Sequence, residues 1–564
     1  MKIPKISKIS KKNKFIGLSV IGLITILIVV LIINPGFFSS STRILKIVPK
    51  DTPGVIILDT KSFIKKGELD EISDTKVFKL FIKLLKEENK KLAKYLGEIA
   101  DDPKLTGIDF RSDVVAFPYI DNTDIEDSAF VIAFGIRDEN DFKDFTDEII
   151  DLSNTDLKLE EEDNYSFYAI NRDVILGWDD SKALFIGGSG DLEDILENLL
   201  ELKRSESIVS NKDFKKFSRK KGDLSLWFST DNNIIQQFIK AGSAGDIYYG
   251  LYDDLFYENN INDFIAGFAN FKLGMNLNFN DDNISLKTDL FFSEDAKDMI
   301  EKSGFSDVSF NKKLLNYFPK DNFAAASFAI DFENLIDFLP NYDIIFDQLS
   351  RGLEKETGLE IEINEILDGI GGSFIVSLLD FNYADSYYRD DFIPIVSFAM
   401  DLNLTKSLQS SLEYLVNLIP GVRGYNDYFE IDADGIPIYL AFDRNALLLT
   451  NDKTSIRNFE DGGFRSSKSL KKSEISSDII KSNSLIYLNL DLEDYPDQLF
   501  RQLEFDGDDF DIFLPYIEDF AESLMIKADS ESFEFIFKIK ENKGENSLKT
   551  IISTIDNIVL NFGI

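Results

Sequence analysis

Pro49-Lys50-Asp51 stands just before an apolar stretch and a polar helix opening, and Pro319-Lys320-Asp321 returns in the same setting. A chain that repeats itself over such a distance must fold as like halves, each with its own core, since one hydrophobic core rarely serves 564 residues. Ile47 to Ile64 reads I-V-P-K-D-T-P-G-V-I-I-L-D-T-K-S-F-I, and Tyr317 to Ile336 reads Y-F-P-K-D-N-F-A-A-A-S-F-A-I-D-F-E-N-L-I. In each, Pro-Lys-Asp ends a loop, the apolar run predicts a buried strand, and Asp59 or Asp331 is placed to cap a helix. The triplet therefore reads as punctuation before a strand rather than as a catalytic set.

The correspondence continues along the chain. Ala129–Arg137 answers Ile393–Leu402, each a predicted strand followed by a helix. Those helices carry Phe142, Phe145, Ile149 and Ile150 in one copy and Leu408, Leu412, Leu415 and Leu418 in the other, which predicts inward faces at helical spacing. A hairpin turning at Asn171-Arg172-Asp173 matches one turning at Asp432-Ala433-Asp434-Gly435. Leu224–Phe228 matches Leu485–Asn489, and each copy closes on an alternating hairpin, Phe264–Phe292 against Ala521–Lys540. The expected class is α+β: a tandem duplication of a unit of antiparallel sheet with packed helices, behind one N-terminal transmembrane helix.

The anchor is read from Phe15 to Ile33, which contain no charge. At about 1.5 Å per residue this run spans roughly 28 Å, the thickness of a bilayer core. Asn34-Pro35-Gly36-Phe37-Phe38 follows in place of a small-x-small cleavage site, so the span is expected to stay uncleaved. Lys2, Lys5, Lys8, Lys11, Lys12 and Lys14 precede it, which predicts a cytoplasmic tail and an extracytoplasmic bulk on the periplasmic side of a bacterial inner membrane. The expected divisions are a basic tail 1–14, a span 15–34, a linker 35–46, a first repeat 47–300, a linker 301–316 and a second repeat 317–564.

Composition excludes whole classes of chemistry. With no His and no Cys, the Ser-His-Asp and Cys-His nucleophiles, His- or Cys-ligated zinc, iron–sulfur clusters and disulfides are absent. Removing the six tail lysines from the net charge of −39 leaves −45 on the rest, a field that repels nucleic acid. Fifty Phe and 20 Tyr within 44% apolar content are ample for substantial cores.

The anchor followed by x-Pro-Lys-Asp, an apolar strand, Asp59-Thr60-Lys61-Ser62-Phe63 and an amphipathic helix resembles an uncharacterised Bacteroidota envelope family, a domain of unknown function. A more distant likeness is to a cyanobacterial membrane-anchored family with a Pro-Asp-Thr-Pro opening. Members of the first family are often lipoproteins, and this chain lacks the Cys a lipid needs. The resemblance therefore implies an extracytoplasmic location, and it supplies no reaction and no catalytic residues.

Four segments invite a functional reading, and each has a structural one beside it. Glu430–Gly435 resembles the front of a calcium loop, but the twelfth position is Ala441 and strands are expected on both sides, so a hairpin turn is the better account. Asp506, Asp508, Asp509 and Asp511 could hold a hard cation, against a solvated acidic loop. Gly187-Gly188-Ser189-Gly190-Asp191 could cradle an anion but lacks the P-loop Lys, and a helix cap is the better account. Lys76, Lys79, Lys83, Lys86, Lys90, Lys91 and Lys94 form a basic helical face, a solvated surface or a seat for anionic headgroups or an acidic protein surface.

No residue is assigned as catalytic, cofactor-binding or metal-ligating. The expected function is that of a membrane-anchored, non-enzymatic binding or scaffolding protein of the envelope, with the membrane and an envelope protein as partners and no nucleic acid. The alternatives are a carrier of a hydrophobic or lipid ligand and a metal- or carboxylate-dependent envelope hydrolase.

Overall fold

The computed structural model describes residues 44–561 apart from 121–127, 154–156, 231–270, 305–307, 339–347, 349, 353, 356–362, 387–388, 434, 497–517, 519 and 541–544. The chain divides into two compact units, one of Met1–Ala244, Lys272–Ile284 and Glu541–Ile564, the other of Gly245–Phe271 and Ser285–Lys540. Both are α+β, with an antiparallel sheet and packed helices.

The first unit contains β1 (Gly54–Leu58), β2 (Val114–Ile120), β3 (Ser128–Gly135), β4 (Leu159–Glu161), β5 (Ser166–Asn171), β6 (Val174–Trp178), β7 (Lys182–Gly188), β8 (Leu224–Ser229) and β9 (Lys272–Phe279). They pair antiparallel in the order β4-β5-β6-β7-β3-β2-β1-β8-β9. In β1, Val55 and Ile57 are buried while Ile56 between them is exposed, the period-two pattern expected of a strand with unlike faces. Asp59 ends β1 and caps the helix Thr60–Gly67, accepting from Ser62 N–H at 3.0 Å. Asn89 closes one helix, Lys76–Glu88, and its side chain caps the next, Lys90–Asp101, which makes a tight helical hairpin.

The inward face expected of Glu139–Leu152 is realised, since Phe142, Phe145, Ile149 and Ile150 are all buried. Phe142 meets Trp178 edge to face at 5.4 Å, a geometry that suits the ring quadrupoles. A further aromatic group joins Phe214 and Phe217 to Trp227, with ring centroids 5.6 and 5.4 Å away. The chain then turns through Asp281 and Asp282, where Asn280 N–H donates to the Asn283 carbonyl at 2.8 Å. β10 (Asn283–Phe291) starts there and belongs to the second unit from Ser285.

The second unit adds β11 (Ala324–Ala329), β12 (Ile370–Ser386), β13 (Arg389–Leu402), β14 (Val422–Gly424), β15 (Phe429–Ala433), β16 (Ile436–Phe442), β17 (Ala446–Thr450), β18 (Ser484–Asn489), β19 (Ala521–Ala528) and β20 (Ser532–Ile539). Their antiparallel order is β14-β15-β16-β17-β13-β12-β11-β18-β19-β20, and its first nine strands follow the order of the first unit's nine. Isolated bridges fall at like places too, Pro49 with Ser207 and Pro319 with Ser469.

One helix departs from the expected packing. In Lys406–Leu418 only Leu408 is buried, and Leu418 is 47% exposed. Tyr414 and Ile419 are exposed as well, so the last turns lie off the core and the leucine spacing overstates the buried face. The helix Ser547–Asn561, which lies within the span 317–564 expected for the second repeat, belongs to the first unit and packs on Thr60–Gly67 and Lys76–Glu88. The helix Glu294–Lys302, after β10, belongs to the second unit, where Asp331 N–H donates to the Gly304 carbonyl at 2.9 Å. No helix of the described residues is long and apolar enough to cross a membrane, and residues 15–33 lie outside the described residues.

Candidate binding cavities

Proline has no N–H to give a ladder, so each Pro-Lys-Asp leaves its bridge with one further bond before the strand begins. Lys50 N–H donates to the Glu206 carbonyl at 2.7 Å, and Lys320 N–H to the Lys468 carbonyl at 2.8 Å. These bonds fix the following residues at the edge of a cavity in each unit. The first, about 510 Å³, is lined by Lys50–Pro53, by Pro118–Ile120 and by residues from Asn198 to Glu206. The second, about 800 Å³, is lined by Lys320–Phe323 and by side chains from β12, β18, β19 and β20.

The larger cavity has an apolar floor and an acidic wall. Phe323, Tyr487, Met525 and Ile536 contribute to the floor. Phe323 is held by Phe381 and Tyr495, whose ring centroids lie 5.2 and 4.6 Å away. A register shift in β12 between Leu378 and Asp380 marks a bulge, and Leu379 and Asp380 beside it both line the cavity. Asp321, Asp380, Glu474, Asp478, Asp494 and Glu522 face Lys320 and Lys538, an excess of carboxylates over ammonium groups that favours a cationic guest.

Some of that charge is already engaged. Lys538 Nζ lies 2.6 Å from Glu522 and 3.1 Å from Glu474, and Lys527 lies 3.1 Å from both Asp478 and Glu534. Burial works against the Lys538 ammonium, but its bonds to the two carboxylates outweigh burial and raise its pKa above the ordinary lysine value. Burial, with Glu522 second, also raises the Tyr487 phenol, and burial first pushes Tyr495 up to about 12. Both phenols therefore remain protonated donors at neutral pH. Tyr495 O–H donates to the Asn489 carbonyl at 2.6 Å, and Asn489 Nδ2 donates to Asp494 at 2.7 Å. The buried Nδ2 of Asn322 has no acceptor among the described residues, an arrangement that costs free energy.

The segments singled out in the sequence do not converge here. Ala433 pairs with Ile436 across the β15–β16 hairpin, where Gly435 has φ +89° and its N–H donates to Asp432 Oδ1 at 2.7 Å. Asp191 caps the helix Leu192–Leu200 by accepting from Glu193 and Asp194 N–H, as expected of Gly187–Asp191. Asp506, Asp508, Asp509 and Asp511 lie outside the described residues. Among the described residues no three Asp, Glu, His or Cys side chains converge to hold a metal ion. What sequence reasoning missed is that the triplet read as punctuation edges a cavity; its recurrence was the available signal.

No curated protein matches the chain. Crystal forms IV and I of TP0453 match at 11% and 10% identity, covering 44% and 45% of this chain and 81% and 80% of theirs. Their TM-scores of 0.22 are too low to carry an argument. A family match spans nearly all the described fold, from residue 45 to residue 548, and by it the chain belongs to the family called Domain of unknown function (DUF4836).

Proposed function

We propose that this chain is a non-enzymatic binding protein of the cell envelope whose larger cavity takes a cationic peptide segment of a partner. The observation that carries the reading is the cavity edged by Lys320-Asp321-Asn322-Phe323, with its carboxylate wall and apolar floor. A basic side chain would answer the carboxylates, and its apolar stem or an aromatic neighbour the floor.

Residues 15–33 are proposed as the anchor, with the six-lysine tail in the cytoplasm and the folded bulk on the periplasmic side. The common strand order and the paired bridges at Pro49 and Pro319 support a tandem duplication as the origin of the two units. Titration of the purified full chain with basic, aromatic-containing peptides and with acidic counterparts tests the binding. Saturable heat with the basic set, weakened about tenfold by Asp321→Asn with Glu522→Gln, is expected; equal or no response to the two sets contradicts it.

A second reading, a carrier of hydrophobic ligand, is favoured by one feature of the second unit. Val376, Ala326 and Ile486 stand in one register row across β12, β11 and β18, and Val376 and Ile486 are 37% and 48% exposed. Native mass spectrometry that finds co-purified lipid would support that reading over the first.

A further inference from the structure

We propose that the helix Lys76–Glu88 and the start of Lys90–Asp101 form a docking face for anionic lipid headgroups. Lys76, Lys79, Lys83 and Lys86 recur at three- and four-residue steps, so they share one side of the helix, and all are exposed. Phe78 is buried and Phe81, Ile82 and Leu85 are half-buried, so this helix is already held to the unit by its other side. Lys90, Lys91 and Lys94 are exposed on the next helix.

In a chain of net charge −39, acids are available to pair almost any lysine. Two of the seven do pair, Lys79 with Asp74 at 3.3 Å and Lys94 with Glu98 at 2.7 Å. Lys76, Lys83, Lys86, Lys90 and Lys91 have no carboxylate partner among the described residues, which leaves their charge for something outside the chain. Leu84, 56% exposed, lies on the same helix beside the lysine face, an exposed apolar side chain that suits the boundary between headgroups and acyl chains.

The inference rests on the anchor reading, which supplies the surface. Ile44 opens the first folded element and follows Ile33 closely enough that, at roughly 3.5 Å per extended residue, the unit starts within roughly 40 Å of the bilayer. Each lysine brought to an anionic surface strengthens the contact about fivefold at low salt, while the acidic remainder is repelled. Together these set which side faces the membrane.

The chain has no cysteine, so Leu84→Cys carries an environment-sensitive fluorophore at a single place. The full chain is reconstituted into vesicles of phosphatidylcholine alone or with one-third phosphatidylglycerol, and flotation with alkaline extraction confirms insertion. With phosphatidylglycerol the label is expected to shift blue and to lose at least half of its quenching by acrylamide, and both effects should vanish in 0.5 M salt and in Lys83→Glu/Lys86→Glu/Lys90→Glu. An inserted chain whose label reads the same in both vesicles, shielded or unshielded, overturns the docking face. A chain that fails to insert overturns the anchor reading instead.

Discussion

Lys549 Nζ lies 2.5 Å from the carboxylate of Glu68, and so joins the last helix of the chain to the end of the first unit's opening helix. Glu68 adopts φ +48°, a left-handed conformation that a non-glycine residue takes at some cost, and its N–H caps Thr60–Gly67 by donating to the Ile64 carbonyl. Around it, Ser547 N–H donates to the Asn280 carbonyl at 2.9 Å, and Leu548 is buried. The partly exposed ion pair contributes at most about 1 kcal/mol, so burial of the helix is what holds it.

Leu548→Ala should therefore destabilise the first unit by about 3 kcal/mol, the usual cost of emptying a buried leucine site. Hydrogen exchange should show faster exchange across residues 60–67. Lys549→Ala should leave those amides nearly unchanged.

Lys221 holds two carboxylates together, Asp113 at 2.7 Å and Asp59 at 2.9 Å. Burial raises the Asp113 pKa above the usual carboxylate value even against the pull of Lys221. Lys221→Met leaves both charges without their partner and should cost about 3 kcal/mol at pH 7. A raised carboxyl pKa favours the fold below the unfolded value of 3.8 and loses that contribution as pH rises through the folded value. The variant should thus regain stability on acidification toward pH 4, read as the difference in melting temperature from the parent, and Asp113→Asn in the same background should remove much of that pH dependence.

In the second unit Lys527 and Lys538 are held above the lysine value of 10.5, since bonds to their flanking carboxylates outweigh burial. Their contribution is full below pH 10.5 and fades as pH rises through the folded values. Denaturant midpoints measured from pH 9 to pH 12 should fall at the alkaline end, and fall less in Lys527→Met/Lys538→Met.

Much of the fold was legible because its signals are local. The apolar run at Val55 forms its strand, although Ile56 within it is exposed where a buried strand was expected, Asp59 caps its helix, and Asn171 and Asp173 turn their hairpin with an N–H to side-chain bond of 2.7 Å. The cavity was not legible, because Phe323 and Asp321 meet Glu522 and Lys538 only through the pairing of β11 with β18, β18 with β19 and β19 with β20. The helix Ser547–Asn561 follows the second unit's strands in sequence but packs in the first unit, a long-range placement that local pattern does not encode. Leu418 shows the reverse limit, since helical spacing marks a face but not how far the core extends beneath it.

The central claim, that the cavity at Asp321 receives a partner, is tested most directly by a photo-crosslinking residue placed there in the full chain in living cells, with Ser407, exposed on Lys406–Leu418, as the control position. The account predicts a discrete adduct from position 321 that is absent from position 407 and is lost with Glu522→Gln/Glu474→Gln. No adduct at 321, or the same adducts from both positions, would contradict it.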